Sequence, residues 1–366
     1  MADHSDEMWN VPLRRRSRAD LTYDAKSPSE TRRHGITDTV DGHARESLPS
    51  PSSEVTKKWL VIGAWVIVPI LALWWILAQM SLRSFWIQAL NGLSFGAVLF
   101  FLASGFTLIF GLMRITNLAH GGFYLVGAYV GIMVMSLTGN FLIALVLSAT
   151  AIMLLGLFTE RVLLRPIRGL EKPEVLLTIG LTFVLGDLSL AIWGGDPMPV
   201  PVPGFLEGPF RIGDIAYPRY RLFVLVCAVA VGAVLFYIER KTRIGAMVRA
   251  GVDDRETVAA LGINIKAVFT GVFMFGAFLA GFAGVIGGGF LSVLPGQDFE
   301  ILLFALVVVI LGGLGSLPGA VLGAVLVGLI DAFAKALVPE LAFFTLFAPM
   351  ALILVLRPQG LLGRVT

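Results

Sequence analysis

Charge is scarce in this chain. Only 14% of its 366 residues are Asp, Glu, Lys or Arg, against about a quarter in ordinary soluble domains. With 57% hydrophobic residues and a mean hydropathy of +0.84, that shortage excludes a water-soluble enzyme and leaves a bilayer as the solvent. Cysteine is almost absent: the single Cys227 can form no intramolecular disulfide and offers no thiolate pair for zinc. Histidine is nearly as rare. His4, His34 and His43 precede the apolar body, which keeps only His120. No Gly-x-x-x-x-Gly-Lys-Ser/Thr phosphate loop occurs, so the chain cannot hydrolyse ATP by that route. A net charge of +3 is too small to argue for a nucleic-acid partner.

The charges present are unevenly placed. Residues 1–58 hold 10 Lys/Arg and 10 Asp/Glu, with no sustained apolar period. They read as a polar, disordered cytoplasmic tail, although the basic run Arg14–Arg18 would also suit anionic lipid headgroups. From residue 59 to 366 a transmembrane domain is expected. Runs long enough to cross a bilayer follow one another at Trp59–Met80, Phe85–Phe110, Leu118–Leu137, Phe141–Phe158, Val175–Trp193, Leu222–Ile238, Ala267–Gly288 and Leu341–Leu356. Ile301–Asp331 is too long for one span and is broken at Gly312–Gly319. A fold-back into two short crossings is favoured there, because it returns Arg357 and Arg364 to the inside. The expected fold is an all-α polytopic bundle of about 8–10 spans, since a barrel would alternate apolar and polar residues. With the tail inside and alternation thereafter, 23 of the 28 Lys/Arg fall inside. The positive-inside rule therefore predicts a cytoplasmic N-terminus. Residues 194–221, with five prolines before Arg211, form an outer loop, and residues 239–266 form a long inner segment.

Few constellations carry chemistry. Gly92-Leu93-Ser94-Phe95-Gly96 matches a nucleophile elbow in letters, but the elbow needs a strand-to-helix turn and this one lies in a helical run. An intramembrane hydrolase is thereby discounted, and no catalytic residue is assigned. Ionisable and amide groups in the apolar body are costly and mark sites. Asp187 either lines a polar path or accepts bonds from a neighbouring helix. Asn117 and His120 sit in a polar, glycine-ended break, Arg114–Gly122, which is either a simple turn or a broken helix facing a translocation path. Asn91 is a further path candidate. Glycines four apart (Gly92/Gly96, Gly127/Gly131, Gly284/Gly288, Gly315/Gly319 and Gly319/Gly323) bring helices close, for packing or for sliding. In the inner segment, Asp253 or Asp254 is a fair N-cap, Arg255 and Glu256 lie in the first turn, and Val258 and Leu261 form a small stripe across Ala259 and Ala260. Gly262 closes the helix. This is either a plain surface helix or a docking knob.

Three stretches, taken in order, carry a resemblance. The first runs from Asn91-Gly92-Leu93 through Gly105–Gly111 to Asn117-Leu118-Ala119-His120-Gly121 and Gly127-Ala128-Tyr129. The second runs from Arg249-Ala250 through Asp254-Arg255-Glu256-Thr257 to Leu261-Gly262-Ile263-Asn264, and the third is Val307–Ala320. Over about residues 85–360 the chain resembles the permease subunits of branched-chain amino-acid ABC importers, closest to the smaller, LivH-like subunit. The resemblance implies a second homologous permease, two cytoplasmic ABC ATPases that bind the ATP, an external or periplasmic solute-binding protein, and a place in the cytoplasmic (inner) membrane. It also implies that residues 253–262 are the coupling loop that meets an ATPase. No cofactor is expected on this chain itself. Relatives carry aliphatic amino acids, urea, amides or aromatic acids, so the solute stays open. The tail 1–58 departs from the family pattern. The expected function is a permease subunit working by alternating access; a self-sufficient secondary transporter or channel is the alternative.

Overall fold

A computed structural model of the protein describes residues 74–363. The leader 1–58 lies outside the described residues, as does the first expected span apart from residues 74–80, of which 74–79 are helical. The elements that follow are α1 (Leu82–Met113), α2 (His120–Thr138), α3 (Phe141–Phe158), α4 (Glu171–Trp193), β1 (Pro209–Ile212), β2 (Ile215–Pro218), α5 (Arg219–Lys241), α6 (Arg243–Asp253), α7 (Arg255–Ala260), α8 (Ile265–Leu291), α9 (Gln297–Gly312), α10 (Leu317–Leu337) and α11 (Ala342–Leu356). Seven helices, α3 taken with its extension to Ile167, are long and apolar enough to cross a membrane. The others in the apolar body, α9 with 16 residues and α11 with 15, are shorter. A polytopic helical membrane protein is what this pattern specifies, because only helices satisfy their own backbone in lipid.

Short polar side chains set the helix starts. Ser81 accepts from the Ser84 amide, Asn140 from Leu142 and Ile143, and Ser316 from Gly319. The Ile301–Asp331 run is two helices, as the fold-back required. The turn between α9 and α10 contains Gly315 at φ 75, a left-handed backbone that glycine adopts without strain. Beside it the two helices touch backbone to backbone: a Cβ on Gly319 would stand 2.2 Å from the Gly312 carbonyl oxygen.

α8 is the axis of the bundle, packed against α1, α2 and α3, while α1 runs antiparallel along α10. The glycines read from the sequence sit at these contacts. Gly92 and Gly96 face Gly328 and Ala324, Gly127 faces Gly281, and a Cβ on Gly284 would stand 2.1 Å from the Tyr124 carbonyl oxygen. Their placement is close packing within one chain. The most apolar stretch of α1 is 83% buried, whereas those of α4 and α5 are 22% and 17% buried. These two outer helices present apolar faces to lipid or to another subunit.

Two features were not legible beforehand. The loop of residues 194–221 holds a β-hairpin, β1 pairing antiparallel with β2 through Phe210↔Tyr217 and Arg211↔Ala216, which qualifies the all-α expectation. It also pairs with the α8–α9 connection through Met198↔Val293. At the opposite end, α3 runs into a π-helical turn, Thr159–Leu164, that carries the fully buried Glu160. Arg168 forms an ion pair with Glu160, Thr270 donates to it at 2.8 Å, and the Arg168 guanidinium stacks over Phe269 at 4.9 Å. Removing one member of such a buried pair typically costs about 3–5 kcal/mol, so the cluster pins the end of α3 to α8.

Candidate functional site

The break after α1 is more than a turn. Arg114 takes a left-handed backbone, φ 56, and ends the helix. The chain then climbs back along α4 without helical bonds: Thr178 Oγ1 donates to the Thr116 carbonyl at 3.5 Å, and Thr182 Oγ1 to that of Leu118 at 3.0 Å. Two α4 threonines thus satisfy carbonyls that the missing helix leaves free. α2 starts at His120, level with Thr182 midway along α4, and so begins inside the bundle rather than at its end.

α9 begins at the same level. A Cβ on Gly121 would stand 2.3 Å from the Asp298 carbonyl oxygen and one on Gly186 3.7 Å from Asp298 Oδ2, and the Phe183 and Phe299 rings lie 5.0 Å apart. Two helix N-termini therefore abut within the bundle. Each carries orphan amides and a partial positive charge, a setting that favours a carboxylate or another electron-rich group.

The side chains at this junction are buried and short of partners. His120 is fully buried, with Nε2 3.1 Å from the Leu102 carbonyl. A carbonyl only accepts, so Nε2 carries the proton and Nδ1 keeps a bare lone pair, with no donor to it. Both polar side-chain atoms of Asn117 and both carboxylate oxygens of Asp298 are likewise buried without a hydrogen-bond partner. The amides of Gly296, Asp298 and Phe299 lie beside the Asp298 carboxylate without reaching hydrogen-bond geometry. Buried polar groups are normally satisfied, and three unsatisfied side chains gather here around two abutting helix starts.

Of the path candidates, Asn117 and His120 share this junction. Asn91 and Asp187 do not. Asn91 sits near the other end of α1, where it accepts from Arg221. Asp187 projects from the exposed face of α4 among Phe183, Val184 and Leu188, with no bonded partner among the described residues. The sequence gives Asp298 no such role, since it stands only as a charge three residues ahead of the Ile301 run. Its position only acquires meaning once α9 begins against Gly121. The elbow-like Ser94 is buried within α1 and bonds Tyr217 Oη at 3.1 Å, which is a packing role.

The segment between α5 and α8 is two helices, not one. The 11-residue α6 packs against α1 and α5, with Gly251 close to Leu112 and Ile265, and ends at Asp253. Asp254 is the cap of the two N-terminal candidates: its Oδ1 accepts from the Thr257 amide at 3.0 Å, opening α7. α7 spans Arg255, Glu256, Thr257, Val258, Ala259 and Ala260. Gly262, at φ 82, ends the turn in the left-handed conformation expected of a helix terminator. The expected Val258–Leu261 stripe is split, however. Val258 is 4% exposed and belongs to the chain's own interior, whereas Leu261 is 74% exposed.

Residues 88–356 match the family described as the permease component of branched-chain amino acid transport systems. The chain is 31% identical over 296 residues to the high-affinity branched-chain amino acid transport system permease protein BraD of Pseudomonas aeruginosa, covering 76% of this chain and 95% of that protein. It is also 31% identical over 299 residues to the permease LivH of Escherichia coli K12, with the same coverages. A LivH protein of Methanocaldococcus jannaschii is 23% identical over 63% of this chain and 75% of its own length. Among solved structures, an inward-facing metal-chelate type ABC transporter matches with a TM-score of 0.41 and 18% identity, over 74% of this chain and 84% of that one.

Proposed function

This chain belongs to the family of permease components of branched-chain amino acid transport systems, and from that premise we propose that it is a permease subunit of an ATP-driven amino-acid importer. It pairs with a second, homologous permease, takes its energy from two ABC ATPases on the cytoplasmic face, and receives solute from an external binding protein. ATP stays on the ATPases. The observation that supports this reading best is the inner segment. α6 and α7 form a two-helix knob that ends in an exposed leucine, which a self-sufficient carrier has no need to build.

In the cycle we propose, ATP-driven closure of the ATPases moves α6 and α7, and α6 passes the movement to α1 and α8, on which it packs. The junction at His120 and Asp298 then shifts, because two helix starts held by sparse polar contacts can separate without breaking an apolar core. The test is uptake of radiolabelled leucine by proteoliposomes. ATP-dependent uptake is expected only when both permeases, both ATPases and the binding protein are present; uptake by this chain alone would instead establish a self-sufficient carrier.

Orientation has its own check. In a Cys227→Ser background, cysteines placed within residues 194–220 are expected to react with an impermeant thiol reagent on intact cells, and cysteines within 245–260 only after permeabilisation. The reverse pattern would invert the topology.

A further inference from the structure

At the end of the bundle where α1 and α5 begin and α8 and α10 finish, an open cavity of about 250 Å³ is lined by residues of all four helices. It is unlike its surroundings in being charged with both signs. Arg221 donates to Asn91 Oδ1, and its guanidinium lies 4.5 Å over the Phe290 ring. Among the described residues it has no carboxylate partner, so the remaining edge of its five-donor fork is open. Across the cavity, Asp331 is nearly buried and bonds Lys335 Nζ through Oδ2 at 2.8 Å. One ammonium leaves a carboxylate with lone pairs to spare. Lys335 is itself held 5.5 Å over the Phe95 ring. Between the charges the walls are Phe95, Phe290, Leu291 and Ala332.

We infer that this cavity is an entry site for a zwitterionic α-amino acid with an aliphatic side chain, its carboxylate on Arg221, its ammonium on Asp331 and its side chain against Phe95 and Phe290. The inference rests on the amino-acid importer reading and assigns where the solute is first held. Charge complementarity selects the class. A planar guanidinium matches a carboxylate in two parallel bonds, a carboxylate answers an ammonium, and apolar walls disfavour a polar side chain. The volume lies just below the roughly 300 Å³ at which pockets for drug-sized ligands begin, which suits a small solute. Asn91 fixes the fork of Arg221, and this explains a half-buried amide that the sequence alone pointed to without a partner.

The experiment uses the assembled complex of permeases and ATPases without binding protein. Ala336→Cys, on the cavity wall, in a Cys227→Ser background, reports occupancy by its rate of reaction with an impermeant maleimide; Ala332→Cys serves if the first does not assemble. L-leucine is expected to slow labelling by about fivefold or more, equivalent to about 1 kcal/mol of occupancy. L-leucinamide, which lacks the carboxylate, and 4-methylpentanoate, which lacks the ammonium, are expected to leave the rate unchanged at the same concentration. Arg221→Gln and Asp331→Asn are each expected to abolish protection by leucine, and Arg221→Lys to keep part of it. Absent protection in the unsubstituted cavity, equal protection by leucinamide, or full protection in assembled R221Q or D331N overturns the assignment. Leucine uptake by the complete complex is measured alongside. Uptake without protection refutes the cavity alone, whereas no uptake of any amino acid refutes the importer reading itself.

Discussion

Leu261→Asp is expected to reduce ATP-driven uptake by about a hundredfold or more while leaving the bundle as stable as before. Leu261 is 74% exposed and lies one residue beyond α7, so its replacement removes nothing from the chain's own core. Burying a leucine side chain in a partner's cleft is worth about 1.5–3 kcal/mol, and placing an unpaired carboxylate there costs further. Each 1.4 kcal/mol is about tenfold in an equilibrium, so docking falls through two decades. Val258 supplies the contrast. At 4% exposed it packs inside, and Val258→Ala should lower the thermal midpoint of the detergent-solubilised protein while coupling survives in the folded fraction. The measurement is uptake beside ATPase activity and co-purification of the ATPases. Normal uptake in L261D would move the dock elsewhere on the inner surface.

The second large effect is expected at the helix-start junction. Asn117→Ala, His120→Ala and Asp298→Asn should each lower uptake per assembled complex by about tenfold or more, beyond any loss of protein. Were the break only a turn, His120→Ala would lose one hydrogen bond and some packing, a cost of about 0.5–3 kcal/mol as for most substitutions. The surviving complexes would then transport normally. The structure argues otherwise because three of the buried side chains that lack partners gather at the two abutting helix starts. His120 Nδ1, both ends of the Asn117 amide and both Asp298 oxygens are buried without a bond among the described residues, whereas buried polar groups are normally satisfied. Asp298→Asn is the informative variant, since it preserves shape and removes charge. The readout is initial uptake rate divided by the amount of complex recovered with its ATPases, with the thermal midpoint of each variant followed separately. Unchanged specific rates in all three would reduce the junction to a structural turn.

Much of this architecture could be read from the residues because lipid leaves the backbone so few options. Uninterrupted apolar runs in a chain with so little charge have to be helices, and the spans read from hydropathy coincide with α1–α5, α8 and α11 to within a few residues, while the broken Ile301–Asp331 run covers most of α9 and α10. The glycines at Gly312–Gly319 marked the reversal between α9 and α10, and Asp254 and Gly262 marked the limits of α7, since caps and terminators act locally. The break at Arg114–Gly122 was visible for the same reason. What tertiary structure alone decided was depth and company. Hydropathy has a period but no register between helices, so nothing in the sequence said that α2 and α9 would start at one level, or that Asp298 would join Asn117 and His120. Nor did it say that Val258 would turn inward and Leu261 outward, because two apolar residues three apart share a helix face only while the helix lasts, and α7 ends between them. Asn91 and Arg221 lie 130 positions apart and meet only because α1 and α5 begin at the same end of the bundle. Local chemistry determined the elements; the close approach of glycine-lined helices determined which polar groups meet, and that depends on packing that no single stretch of sequence contains.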